Sequence, residues 1–64
     1  MNPLTPRQTE VVTLIAMGFS ERVAARMLGM ALHTFKNHRS AAYERLGMNK
    51  VTEVVQWAMS RGLV

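Results

Sequence analysis

Each of the four glycines in this chain follows a segment that carries apolar residues at helical spacing. The glycines are Gly18, Gly29, Gly47 and Gly62. Because glycine readily adopts the left-handed backbone conformation that commonly ends a helix, each of these positions predicts a helix C-terminus. The pattern predicts helices over about residues 6–17, 21–28, 32–46 and 50–61. No segment shows the alternating pattern of a strand, so the predicted fold class is all-α.

Residues that can cap a helix precede three of the four predicted helices. Thr5 is followed by Pro6 and Gln8, an order typical of a capping box with proline in the first helical position. Ser20 is the predicted N-cap of the second helix, and Asn49 is the predicted N-cap of the fourth.

The chain has 64 residues, no cysteine and a hydrophobic share of 48%. A chain of this length forms one small domain, predicted to cover residues 1–64. Without cysteine it has neither disulfides nor thiolate metal ligands, so its core has to form by hydrophobic packing. The residues of the first helix predicted to face that core are Val11, Leu14 and Ile15, with Val12 at the margin.

The sequence carries no sign of a membrane span or a catalytic site. No apolar run approaches the roughly 18 residues that a span needs, and the N-terminus lacks the order of a signal peptide, so the predicted location is the cytoplasm. Ser20, Ser40 and Ser60 have no matched His and Asp, because the chain contains no aspartate. His33 and His38 lie about 140° apart around the third helix and cannot share a metal. We therefore expect no enzyme activity, no metal, no cofactor and no small-molecule ligand.

Acidic residues are absent between Arg22 and Tyr43, and this stretch carries the whole net charge of +4. Its basic residues are Arg22, Arg26, Lys36 and Arg39. A concentrated basic patch indicates an anionic partner, but four cations are also an ordinary solvated surface on a small domain. Charge alone leaves both interpretations open.

The third predicted helix has one apolar side and one polar side. At 100° per residue, Phe35, Ala42 and Leu46 share a narrow arc that should face the core. The opposite arc carries His33, Lys36, Asn37, Ser40 and Glu44. A helix fits the major groove of DNA, where Lys bonds guanine O6 and N7 and Asn bonds adenine N6 and N7, so Lys36 and Asn37 are the predicted base readers. An ordinary solvated helix face is the alternative.

A short turn around Gly29 joins the second and third predicted helices, as in a helix-turn-helix, where Arg22 and Arg26 on the preceding helix would meet phosphates. The chain also resembles the LuxR/FixJ-type, or GerE-like, helix-turn-helix domain over residues 4–63. The segments that carry the resemblance are LTPRQTEVVTLIAMGFS, AARMLGM, TFKNHRSAAYERLGM and TEVVQWA. The resemblance implies a four-helix DNA-binding domain of bacterial or phage transcription regulators, with helix 3 as the recognition helix.

The helix-turn-helix arrangement and the resemblance together assign expected roles to individual residues. The residues expected to contact bases are Lys36, Asn37 and Ser40. The residues expected to contact the DNA backbone are Arg22, Arg26, His33, Thr34, His38 and Arg39. Helix 4 often forms the dimer contact in this family, and the residues expected there are Val54, Trp57, Ala58 and Arg61. For Trp57, packing over the end of helix 1 is an open alternative.

Two positions depart from the usual family pattern. Ala24 stands where the family usually has a large aliphatic residue, and Phe35 stands where it usually has Val, so the ring of Phe35 is predicted to fill the space beside Ala24. Ala31 stands where a serine commonly caps helix 3, so the first N–H groups of that helix lose a local acceptor.

These expectations combine into a stand-alone regulator of transcription without a sensor domain, which binds double-stranded DNA sequence-specifically as a homodimer. RNA polymerase or another regulator is a further candidate partner. The alternative is a protein-interaction module, for instance a phage or accessory protein, that uses the same fold to bind a host regulator or an RNA polymerase subunit. Steep salt dependence of binding would favour DNA, and weak dependence would favour a protein interface.

Overall fold

The computed structural model describes residues 2–64 and contains four α-helices. They are α1 (Pro6–Ala16), α2 (Glu21–Met27), α3 (Leu32–Leu46) and α4 (Val51–Ser60). Their ends lie within one residue of the predicted ranges, and residues 2–64 contain no strand. The all-α, four-helix fold class is confirmed. Met1, the first residue of the predicted domain, lies outside the described residues.

The glycines end the helices with a shared hydrogen-bond pattern. Gly47 adopts a φ of 67°, and its N–H donates to the carbonyl of Glu44 at 3.1 Å, while the N–H of Met48 donates to the carbonyl of Tyr43 at 3.0 Å. This pair of bonds around a left-handed residue is the Schellman motif. The same pair occurs at the other three glycines, including Gly29 in the turn between α2 and α3.

Side chains cap the first two helices as predicted. The N–H of Gln8 donates to the Thr5 hydroxyl at 3.1 Å, and the N–H of Thr5 donates to Gln8 Oε1 at 3.1 Å, which completes the capping box. At the start of α2, the N–H of Val23 donates to the Ser20 hydroxyl at 3.2 Å. These bonds satisfy backbone donors that have no partner inside the helix.

The last two helices begin without a side-chain cap. Ala31 occupies the N-cap of α3 with no side-chain hydrogen bond, and the helix still begins at Leu32. The prediction that Asn49 caps α4 is wrong, because the helix begins at Val51 and places Lys50 at the N-cap. An ammonium group only donates hydrogen bonds, so Lys50 cannot accept one from the N–H groups of the first turn.

The core consists of two clusters of buried side chains, and α1 contacts each of the other three helices. The α4-side cluster contains Leu4, Val12, Ala42, Val54 and Ala58. The α2-side cluster contains Val11, Ala24, Ala25 and Phe35. Val12 is fully buried, so its predicted place at the margin of the apolar side is wrong. Because α1 lies between the two clusters, its apolar side is wider than a single contact requires.

Candidate nucleic-acid interface

Helix α3 is anchored to both core clusters. Phe35, near its N-terminus, belongs to the α2-side cluster, and Ala42, two turns later, belongs to the α4-side cluster. Leu46 packs against the α4-side cluster as well. Near the end of the helix, Arg45 Nε donates to the carbonyl of Pro3 at 2.9 Å. These contacts run along most of the length of α3 and hold the helix in a fixed orientation.

The residues expected on the outer side of α3 are all exposed. They are His33, Lys36, Asn37, Ser40 and Glu44. The structure thus brings together the three residues expected to contact bases, Lys36, Asn37 and Ser40, within about one and a half helical turns. Thr34 and His38 are half-buried and lie one turn apart along one border of this exposed face.

Two exposed arginines on α2 extend the basic surface. Arg22 and Arg26 lie four residues apart, which places them on the same side of the helix. Within residues 2–64, no acidic side chain forms an ion pair with Arg22, Arg26 or Lys36. These three cations are therefore available to an anionic partner.

Arg39 differs from the other cations, because it forms an ion pair with Glu21, the first residue of α2. The side chains of Arg39 and Glu21 are 31% and 33% exposed, so both are partly shielded from solvent. No local pattern predicts this pair, because Glu21 lies 18 residues earlier and just outside the stretch without acidic residues. The pair neutralises one of the four charges in that stretch.

Tyr43 lies one turn after Arg39, beside an open groove between the ends of α1, α2 and α4. Burial raises the pKa of the Tyr43 phenol, and the nearby positive charge of Arg39 acts in the opposite direction. The groove has a volume of about 810 Å³, and the Glu21–Arg39 pair also lines it. Sequence reasoning assigned no role to Glu21 or Tyr43.

The predicted dimer residues on α4 separate into two groups. Val54 and Ala58 have no exposed surface, because both belong to the α4-side cluster of this chain's own core. Their predicted place at a dimer interface is therefore corrected: neither side chain can touch a second copy. Trp57 is half-buried against the same cluster, and the Arg61 guanidinium lies over its ring, 5.3 Å from the centroid.

Two apolar side chains of α4 are exposed, apart from the predicted dimer residues. Val51 is 52% exposed and Met59 is 61% exposed.

The described part of the chain holds neither a metal-binding cluster nor a membrane span. Among residues 2–64, no three His, Cys, Asp or Glu side chains lie where they could hold a metal ion together. None of the four helices has the length and apolar character needed to cross a bilayer.

Comparison with known proteins places this arrangement in a family. The family model described as "Bacterial regulatory proteins, luxR family" matches residues 2–58. The transcriptional regulatory protein MctR of Rhizobium johnstonii is 32% identical over 63 residues, which cover 98% of this chain and 29% of that protein. The transcriptional regulatory protein YdfI of Bacillus subtilis is 34% identical over 61 residues, which cover 95% of this chain and 29% of that protein.

The oxygen regulatory protein NreC of Staphylococcus aureus is 28% identical over 61 residues, which cover 95% of this chain and 28% of NreC. The chain spans less than a third of the length of these curated relatives. No solved structure matched the chain. The extent of the family match, over nearly all of four helices, shows that this chain belongs to the luxR family of bacterial regulatory proteins.

Proposed function

We propose that this chain is the DNA-binding module of a transcription regulator and that α3 reads double-stranded DNA in the major groove. The observation that carries the proposal is the adjacent, exposed pair Lys36 and Asn37 on a helix whose opposite side is fixed to both core clusters. A rigid helix that presents hydrogen-bonding side chains is what direct readout in the major groove requires. Membership of the luxR family and relatives named as transcriptional regulatory proteins support the same function.

Within this proposal, the outer side of α3 reads bases and its surroundings hold phosphates. Lys36 donates to guanine O6 and N7, Asn37 forms two hydrogen bonds with adenine, and Ser40 bonds either kind of base. The exposed Arg22 and Arg26 contact phosphates from α2. His33, Thr34 and His38 border the reading face and complete the set of backbone contacts. The module acts where the DNA is, in the cytoplasm.

The proposed assembly is a homodimer in which exposed apolar residues of α4 contact a second copy. Val51 and Met59 are exposed apolar residues on this helix. Trp57, with the Arg61 guanidinium over its ring, lies on a different side of the helix. Burial of Val51 and Met59 between two copies removes apolar surface from water. Sedimentation equilibrium tests the assembly: the wild type should be a dimer and Met59→Glu a monomer, whereas a monomeric wild type would contradict it.

A protein-interaction module is the second candidate function, and one surface favours it. Val23 and Met27 are exposed and four residues apart on α2, next to the two arginines. An apolar stripe beside basic residues could bind an acidic, amphipathic segment of another regulator.

The salt dependence of DNA binding distinguishes the two functions. Binding through phosphates weakens with salt, with a slope of about −0.9 in log K against log salt for each contact. We expect Arg22→Ala and Arg26→Ala each to make the slope shallower by about 0.9. Arg7→Ala on α1, which removes the same charge away from the interface, should leave the slope unchanged. A slope near zero for the wild type would contradict DNA binding and favour the protein partner.

A further inference from the structure

The ion pair between Glu21 and Arg39 joins two helices that have different tasks in the proposed function. Glu21 is the first residue of α2, which carries the phosphate-contacting arginines, and Arg39 lies in the middle of α3, which carries the base readers. Among the described residues, it is the only hydrogen bond between a side chain of α2 and a side chain of α3.

The pair is the second attachment point between these helices. The first is apolar and lies one turn away on each helix: Ala25 follows Glu21 by four residues, Phe35 precedes Arg39 by four, and both belong to the α2-side cluster. Ala25 and Phe35 lie toward the end of the helix pair that the turn at Gly29 also joins, so that end is held by both. The ion pair lies one turn farther from the Gly29 turn on both helices, where it restrains the angle between them.

The partners are also arranged so that Arg39 is occupied within the chain. Both side chains are about two-thirds shielded from solvent, and a carboxylate is a strong, charge-assisted acceptor for a guanidinium group. Arg39 Nη1 donates to Glu21, and a DNA phosphate that competed for this nitrogen would leave the carboxylate beside DNA without its partner.

We infer that Glu21 and Arg39 are a positioning pair that sets the angle of α3 relative to α2, and that Arg39 is not a phosphate contact. This inference rests on the proposed function and revises the role expected for Arg39 from the sequence. The angle matters because Arg22 and Arg26 must reach the backbone while Lys36 and Asn37 reach base edges. Glu21 thereby becomes a determinant of DNA affinity although it does not touch DNA.

The test compares Glu21→Gln, Arg39→Gln and the double variant by DNA affinity over a range of salt concentrations. Glutamine removes the charge and preserves much of the side-chain length. We expect each single variant to weaken binding about two- to fivefold, the range of a partly exposed ion pair, and the double variant to be no weaker than the singles. The salt slope of Arg39→Gln should equal that of the wild type.

A phosphate contact at Arg39 predicts different results. If Arg39 contacts a phosphate, Arg39→Gln makes the slope shallower by about 0.9 and Glu21→Gln strengthens binding, and this outcome would overturn the inference. Additive effects of the two single variants would also overturn it. The matched control is the exposed pair Arg7 and Glu10 within α1, 3.5 Å apart, where the same substitutions should leave the affinity unchanged.

A measurement on the free protein separates this inference from the proposed function. If the wild type itself binds no DNA, the proposed function fails, and the pair is then judged by a double-mutant cycle on the urea midpoint of unfolding. Coupling between Glu21→Gln and Arg39→Gln in that cycle supports a pair that joins α2 to α3. Absence of coupling overturns it.

Discussion

Val11 and Val12 are neighbours on α1, and both are fully buried, yet they pack into different clusters. Val11 packs with Phe35 of α3 in the α2-side cluster, and Val12 packs with Ala42 of the same helix in the α4-side cluster. The two adjacent valines thus support the two ends of the proposed reading helix. The fold positions its exposed face through α1.

Truncation of either valine should destabilise the whole fold. We expect Val11→Ala and Val12→Ala each to lower the free energy of unfolding by about 2 kcal/mol, because each removes buried methyl groups and leaves a cavity. Val23→Ala, at an exposed valine on α2, is the matched control and should change it by less than about 0.5 kcal/mol. Urea denaturation measures all three. If Val12→Ala lowered the free energy of unfolding no more than Val23→Ala does, the α4-side cluster would not act as a core.

Ala24 and Phe35 should behave as a volume-compensating pair. Both are fully buried in the α2-side cluster, so a larger side chain at position 24 has no free space. We expect Ala24→Ile to cost about 1–3 kcal/mol by overpacking and the double variant Ala24→Ile with Phe35→Val to recover most of that loss. Thermal unfolding of the two single variants and the double variant checks this. An unchanged melting temperature for Ala24→Ile alone would argue against the compensation.

A serine at position 31 should stabilise the free protein. Ala31 already has the extended backbone of an N-cap, with φ −69° and ψ 154°, but its side chain cannot accept a hydrogen bond. Ala31→Ser should therefore add about 0.5–2 kcal/mol to the free energy of unfolding. Ala41→Ser, at an exposed position inside the same helix, is the control and should be neutral or slightly destabilising. Equal effects of the two substitutions would show that a hydrogen-bond acceptor at the N-cap does not stabilise α3.

Stability should fall at high pH because of Tyr43. Burial raises the pKa of its phenol in the folded state, so above about pH 10 the unfolded chain loses this proton first. The unfolded state then binds fewer protons than the folded state, and by linkage the free energy of unfolding decreases as pH rises. Urea midpoints at pH 8 and pH 11 should show a smaller decrease for Tyr43→Phe than for the wild type. Parallel decreases would rule out a contribution from Tyr43.

The local features of this fold could be predicted from the sequence because their causes are local. The four glycines and the caps at Thr5 and Ser20 act through hydrogen bonds within a few residues. The two sides of α3 follow from helical periodicity alone, and the exposed face with Lys36 and Asn37 emerged as predicted.

The remaining features depend on which helices meet in space. The prediction for Val12 was wrong because α1 packs against two clusters. A helix in that position buries a wider apolar arc than a helix that packs against one. Val54 and Ala58 were assigned to a dimer because the pattern of α4 shows that residues are apolar, not which of them face this chain's own core. The partner of Arg39 was missed because Glu21 lies 18 residues away in sequence.

Selection of bound sequences from random double-stranded DNA tests the central claim most directly. The wild type, Lys36→Ala, Asn37→Ala and the control Gln56→Ala, an exposed position on α4, should be compared at one salt concentration. The account predicts that the wild type and the control enrich one motif, while Lys36→Ala loses preference at a guanine and Asn37→Ala at an adenine. Enrichment of the same unchanged motif by all four proteins would contradict the reading role of α3, and no enrichment by the wild type would contradict sequence-specific binding.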